Sequence, residues 1–226
     1  MQVLIFAAGK GTRLRPLTYK TPKPLIKINN KTLIEHNLEK LPKEIDEIIL
    51  IVNYLKEKFY DYFGDNFQGR RVKYIYQKEI NGTAGALHYA KKILKERFLV
   101  LNGDDIYDKK DIKKCLQHQN SILIKEKKGN FSGGKIILDK NNNLENIEEG
   151  NHNEKKAYIA TGLYVLTKNF FKYKKIQIPN TKEYGLPQTL IEMAKKEEIK
   201  IQKANFYLQI GDPKALKEAK KILKEK

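Results

Sequence analysis

The chain has 226 residues, 40% of them hydrophobic, and 45 Lys and Arg against 27 Asp and Glu give it a formal net charge of +18. That length suits one domain with a substantial core and excludes two equal domains. The single Cys115 excludes an intramolecular disulfide and an all-cysteine metal site, and four scattered histidines lack the spacing of zinc ligands. Only five of the basic residues are Arg (Arg13, Arg15, Arg70, Arg71, Arg97), whereas planar recognition of phosphates and base edges favours Arg. The charge therefore reads as lysine-coated helix faces, as along Lys214 to Lys226, and as suited to a small anionic substrate rather than to nucleic acid. No apolar run approaches the ~18 residues of a membrane span. Met1 to Ala8 is short and lacks a basic leader, so a cytoplasmic location is expected.

In chain order, Val3 to Ala7 reads as a buried strand feeding a glycine loop at Gly9. Thr32 and Glu35 have the spacing of a capping box before a helix with apolar positions Leu33, Ile34, Leu38 and Leu41. A strand at Ile48 to Val52, a helix near Leu55 to Phe63 and a strand at Val72 to Tyr76 follow. Ala84 to Leu94 is a predicted helix, and Phe98 to Leu101 is a buried strand ending in the acidic turn Asn102-Gly103-Asp104-Asp105. This alternation predicts a largely parallel sheet covered on both faces. Beyond residue 120 short strands are expected at Ile122 to Ile124, Lys135 to Leu138 and Tyr158 to Leu166, then helices near Leu186 to Lys195 and Pro213 to Lys224. The expected organisation is one domain over residues 1–226, with one half to about residue 120 and a second half after it.

The segment with the most chemistry is Ala7-Ala8-Gly9-Lys10-Gly11-Thr12-Arg13-Leu14-Arg15-Pro16-Leu17-Thr18, followed by Pro22-Lys23-Pro24. Glycines directly after a buried strand let the backbone approach a ligand and turn its N–H groups toward phosphate oxygens, while nearby cations supply charge. A dinucleotide fingerprint would need Gly at Leu14, and a P-loop would need Gly-Lys-Ser/Thr at residues 9–12; both fail.

The loop closely resembles the signature of the sugar-1-phosphate nucleotidyltransferases, Gly-x-Gly-Thr-Arg-Leu-x-Pro-Leu-Thr followed by Pro-Lys-Pro. The resemblance continues through Gln77 to Ala86, similar to the family's nucleobase-reading segment, and through Asn102-Gly103-Asp104, similar to its magnesium-holding turn. Gly134, Glu148-Glu149 and Ala160 to Tyr164 follow the order of its sugar-binding segments, and Tyr207 to Gly211 resembles the late segment with a second metal-binding aspartate. The resemblance implies an α/β fold: a Rossmann-like three-layer sandwich with a mixed, mostly parallel central sheet, of the nucleotide-diphospho-sugar transferase type. It implies Mg²⁺-dependent transfer of a nucleotidyl group from a nucleoside triphosphate to a sugar 1-phosphate; Gln77 with Gly82 resembles uridylyl and thymidylyl enzymes, favouring UTP or dTTP, while Gly82-Thr83-Ala84-Gly85 also resembles guanylyl relatives. Arg13 and Lys23 would be catalytic; Ala8, Gly9, Gly11, Thr12, Gln77, Gly82 and Thr83 would bind nucleotide. Gly134, Glu149 and Thr161 would bind the acceptor, and Asp104 the metal, with Gln209 or Asp212 as second ligand. Homo-oligomerisation is left open.

Two departures fall in the acceptor half. Gly150 stands where the family commonly places a Lys that meets the sugar phosphate, leaving Lys155 or Lys156 as substitutes if the chain folds back. Gln209 replaces the usual metal-binding Asp, bringing a carbonyl without a negative charge. These departures admit two other readings beside the leading one: a non-sugar phosphorylated acceptor, or a catalytically weak regulatory homologue.

Overall fold

The computed structural model describes residues 1–224, so Lys226 of the basic C-terminal run lies outside the described residues. An eight-stranded sheet runs through the molecule, and from edge to edge its strands are Lys200–Lys203, Ser121–Leu138, Leu144–Thr167, Arg97–Asn102, Gln2–Phe6, Glu47–Val52, Arg70–Tyr76 and Asn66–Phe67. Gln2–Phe6 is parallel to both its neighbours, as Glu47–Val52 is to Arg70–Tyr76, whereas Leu144–Thr167 runs antiparallel to Arg97–Asn102. The sheet is thus mixed, with a parallel centre.

The central strands read as continuous apolar runs because both faces are covered. Val3, Ile5, Leu50, Leu99 and Leu101 join a core with Ile34, Leu38, Phe59, Phe63 and Ile112 from the helices Leu33–Leu38, Glu57–Phe63 and Lys109–Cys115. Leu4, Ile49, Ile51, Phe98 and Val100 point the other way, onto Leu87, Leu186, Leu190 and Met193 of the helices Gly82–Tyr89 and Leu186–Ala194. This is the expected three-layer sandwich. The capping box is also present: Thr32 N–H donates to Glu35 Oε2 at 2.6 Å, and Glu35 N–H donates to Thr32 Oγ1 at 3.2 Å.

The terminal helix, Pro213–Ile222, turns Leu216 and Ala219 inward onto Leu14, Ile26 and Ile106 and leaves most of its lysines exposed. The lysine run is therefore a solvated helix face, and that helix pins the glycine loop through Leu14, which is 1% exposed. Burying a leucine side chain contributes ~1.5–3 kcal/mol.

The region after residue 120 differs from expectation. The sequence predicts three short strands; instead Ser121–Leu138 and Leu144–Thr167 form one long hairpin, turned at Asp139 to Asn143, where Asp139 Oδ1 accepts from the Asn141 and Asn143 N–H groups at 2.8 Å each. The hairpin folds over itself, so Ile136 lies between Ile147 on one side and Tyr158 on the other. Gly134 and Glu149, opposite each other in register, are carried on this folded lobe.

Candidate active site

Parallel packing of Gln2–Phe6 beside Arg97–Asn102 brings two loops together at the carboxyl edge of the sheet, where open α/β sheets bind ligands. Gly103 N–H donates to the Phe6 carbonyl at 2.9 Å, and a Cβ at 103 would stand 2.8 Å from that oxygen and 3.4 Å from Pro24 Cβ. Only glycine permits this approach. Its consequence is a contact between the charges that flank it: Lys23 Nζ, on a residue 7% exposed, lies 2.6 Å from Asp104 Oδ2.

Gly11 is held with φ +62, and Thr18 Oγ1 donates to its carbonyl at 2.8 Å. The loop, Lys23 and Asp104 line a cavity of about 410 Å³. Ala8, Gly9, Gly11, Thr12, Arg13, Gln77, Gly82 and Thr83 all line it too, so each expected nucleotide-binding and catalytic residue meets in one space. Arg13 is exposed there, and Gln77, 3% exposed, donates from Nε2 to Asn81 Oδ1 at 3.3 Å.

A second cavity, of about 290 Å³, shares Thr83, Asn102 and Ile178 with the first. Gly134 and Glu149 line it as expected. Thr161 does not: it is fully buried, its hydroxyl donates to the Leu123 carbonyl at 2.8 Å, and its own carbonyl accepts from Tyr107 Oη at 2.9 Å. The wall there is formed by Ala160 and Gly162, which point to the opposite face of the strand. Lys155 and Lys156 are both exposed and outside the cavity lining, and Lys156 pairs with Glu126 at 3.6 Å. Gly150, at φ +148, is outside the cavity lining, and a Cβ there would meet nothing within 4 Å.

Gln188 is a wall residue the sequence did not single out. It is 6% exposed, its Nε2 donates to Glu149 Oε1 at 2.5 Å, and its buried Oε1 has no hydrogen-bond partner. That oxygen is enclosed against Gly185, where an added Cβ would collide with it, so it is not open to the cavity. Ile178 and Glu183 are not singled out by the sequence either, since the ribbon Ile176–Gln177/Tyr184–Gly185 that flanks them reaches the site only through tertiary packing.

For a cation, no group of three His, Cys, Asp or Glu side chains exists among the described residues. Asp104, half-exposed at the cavity, offers one carboxylate, and Gln209 lines the neighbouring cavity in register with Asp105. One carboxylate, an amide carbonyl and substrate phosphates form an oxygen set that fits Mg²⁺. Asp105 is committed elsewhere: it is 4% exposed and accepts from Asn102 Nδ2 at 3.2 Å, Tyr207 Oη at 2.9 Å and Ile210 N–H at 3.3 Å. Burial, with the adjacent Asp104 charge, pushes its carboxyl up to about 7. Asp212 is also occupied, its Oδ1 capping the last helix at Ala215 N–H, 2.8 Å away.

The family model described as Nucleotidyl transferase matches residues 2–226. The chain belongs to this family. Among curated members, the Bifunctional protein GlmU of Methanocaldococcus jannaschii is 37% identical over 228 residues, covering 100% of this chain and 55% of that protein. The chain thus spans about half the length of the GlmU relatives it matches. The D-glycero-alpha-D-manno-heptose 1-phosphate guanylyltransferase of Campylobacter jejuni is 33% identical over 219 residues, covering 94% of this chain and 96% of that one. The crystal structure of HddC from Yersinia pseudotuberculosis superposes with a TM-score of 0.71 at 26% identity, over 98% of this chain and 99% of that one. A putative glucose-1-phosphate thymidylyltransferase from Bacillus anthracis shares the nucleotidyl transferase fold, with a TM-score of 0.86 at 21% identity, over 100% of this chain and 96% of that one.

Proposed function

We propose that this chain transfers a nucleotidyl group from a nucleoside triphosphate to a sugar 1-phosphate, giving a nucleoside diphosphate sugar and pyrophosphate. The observation that carries this reading is the pair of cavities joined through Thr83, Asn102 and Ile178, with Lys23 and Asp104 on the donor side of the seam. A phosphate oxygen of the acceptor attacks the α-phosphorus while the bond to the β,γ-pyrophosphate breaks, and pyrophosphate leaves with the electron pair. Both reactants are anions, so positioning and charge neutralisation supply the catalysis, with no side-chain nucleophile required.

Placement around the donor cavity supports the roles that the resemblance implies. Backbone N–H groups of residues 9–12 cradle the triphosphate, Arg13 neutralises the leaving pyrophosphate, and Lys23 exchanges its Asp104 partner for the α-phosphoryl oxygens. Asp104, with the Gln209 carbonyl, would then hold Mg²⁺, which supplies further neutralisation of phosphate charge when bound. A sugar suits the second cavity because the Glu149 carboxylate in its wall can accept from hydroxyl groups. At the base end, Gln77 with the apolar Ile80 and Ala86 supports UTP or dTTP, whose imide edge one amide can read.

A coupled assay of pyrophosphate release tests this, run with UTP, dTTP, GTP, ATP and CTP against a panel of sugar 1-phosphates. Turnover with at least one pair is expected, and strongest with UTP or dTTP. Absence of pyrophosphate release across the panel in the presence of Mg²⁺ would refute the transfer reading, and clear preference for another triphosphate would refute the base assignment alone.

A further inference from the structure

The acceptor cavity is lined by one basic side chain, Lys127. Its neighbours on the folded hairpin are engaged: Lys128 with Glu126 at 3.4 Å, Lys135 with Glu148 at 2.7 Å and Glu154 at 2.9 Å, and Lys156 with Glu126 at 3.6 Å. Lys127 is half-buried and has no ion pair among the described residues. A partly desolvated ammonium without a counter-charge, in the wall of a cavity, favours an anion there.

Position within the cavity decides which part of a ligand it meets. Lys127 and Gln209 both line this cavity and an adjacent hollow of about 260 Å³. Gln209 pairs in register with Asp105, next to Asp104 at the seam with the donor cavity. Glu149 and Gln188, joined to each other on the other strand of the hairpin and the following helix, bring the cavity a carboxylate already bonded to an amide. Lys127 is therefore the cation that the acceptor cavity offers an anionic ligand. Gln209, which lines the same two hollows, brings no carboxylate to neutralise that charge.

We infer that Lys127 binds the phosphate of the acceptor, supplying the cation that Gly150 does not. The inference rests on the nucleotidyl-transfer reading for the identity of the phosphate and on Lys127 alone for its site. The test compares wild type with Lys127→Met, Lys127→Arg and Lys128→Met, by steady-state kinetics with each substrate varied separately. Calorimetric titration with glucose 1-phosphate and with glucose runs alongside, and thermal melting verifies that each variant is folded. Loss of one charge-assisted hydrogen bond predicts an acceptor KM about tenfold or more higher in Lys127→Met, with the triphosphate KM within about twofold. Lys127→Arg should recover most of the loss, and Lys128→Met should match wild type. An unchanged acceptor KM in folded Lys127→Met overturns the inference while leaving nucleotidyl transfer intact. If wild type shows no turnover, the titration decides: weaker glucose 1-phosphate binding in Lys127→Met supports the phosphate site although the transfer reading has failed. Equal binding in both, or none by wild type, overturns it.

Discussion

Replacing Gly82 with Ala tests how the two halves of the site are joined. Gly82 opens the helix Gly82–Tyr89 at φ +86, and a Cβ there would lie 2.6 Å from Tyr184 N, closer still to the Tyr184 carbonyl oxygen, and 2.9 Å from Glu183 Cβ. The two Tyr184 atoms are backbone atoms of a ribbon stitched to the helix by Tyr184 N–H on the Asn81 carbonyl at 2.8 Å and Leu186 N–H on Thr83 Oγ1 at 2.9 Å, so they cannot swing aside as a side chain can. The left-handed backbone costs a β-carbon about 1–2 kcal/mol, and overpacking about 1–3 kcal/mol more. At about 2–4 °C per kcal/mol for a domain of this size, the melting temperature should fall by roughly 5–15 °C. Gly69 supplies the control: its φ is +79 and a Cβ there meets nothing within 4 Å, so Gly69→Ala bears the backbone term alone. Because the displaced ribbon carries Ile178, which lines both cavities, Gly82→Ala should also raise KM for both substrates several-fold. Thermal denaturation and steady-state kinetics on the two variants measure this. If Gly82→Ala melts no lower than Gly69→Ala and both KM values stay within about twofold of wild type, the ribbon does not set the seam.

Arg13→Ala and Lys23→Ala should each lower kcat by about 10² or more, the scale of losing one preorganised charge-stabilising group; near-normal turnover in either would remove it from the mechanism. Asp104→Asn should abolish most Mg²⁺-dependent pyrophosphate release, and a magnesium titration indistinguishable from wild type would place the cation elsewhere. Asp212→Asn should leave that titration unchanged because the side chain caps a helix, while Asp212→Ala should cost about 1 kcal/mol in denaturant unfolding. A magnesium midpoint shifted by Asp212→Asn would restore it as a ligand.

The parallel centre of the sheet was legible because strands buried on both faces leave unbroken apolar runs such as Ile48 to Val52. The donor cavity was legible because its residues cluster in short segments at strand ends, where a glycine announces close approach. The acceptor cavity was harder to read, for two different reasons. The lobe strands at residues 127–135 and 145–157 are polar, glycine-containing and largely half-exposed, so they show no strong apolar alternation and read as turns. Thr161 could have been placed correctly: it shares strand parity with Leu163 and Val165, which face the core, while Ala160, Gly162 and Tyr164 face the cavity. Lys127 and Gln188 carry no local signal at all, since what distinguishes them is the company of residues distant in sequence. The same long-range packing blurs the expected halves, with Ile178, Glu183 and Gly211 lining the donor cavity and Thr83 and Asn102 lining the acceptor one.

The strand bearing the glycine loop precedes both its partners in the chain but sits between them in the sheet, at residues 47–52 and 97–102. Ala7 N–H finds its acceptor on Ile51, and the Phe6 carbonyl finds its donor on Gly103. A nascent or truncated chain ending before Gly103 therefore exposes an apolar strand with an open edge, and its loop has no scaffold to fix the glycine turn. Such long-range pairing is slow to form and prone to association while it waits. The donor site is thus among the later features to take shape, although its residues leave the ribosome ahead of nearly everything that supports them.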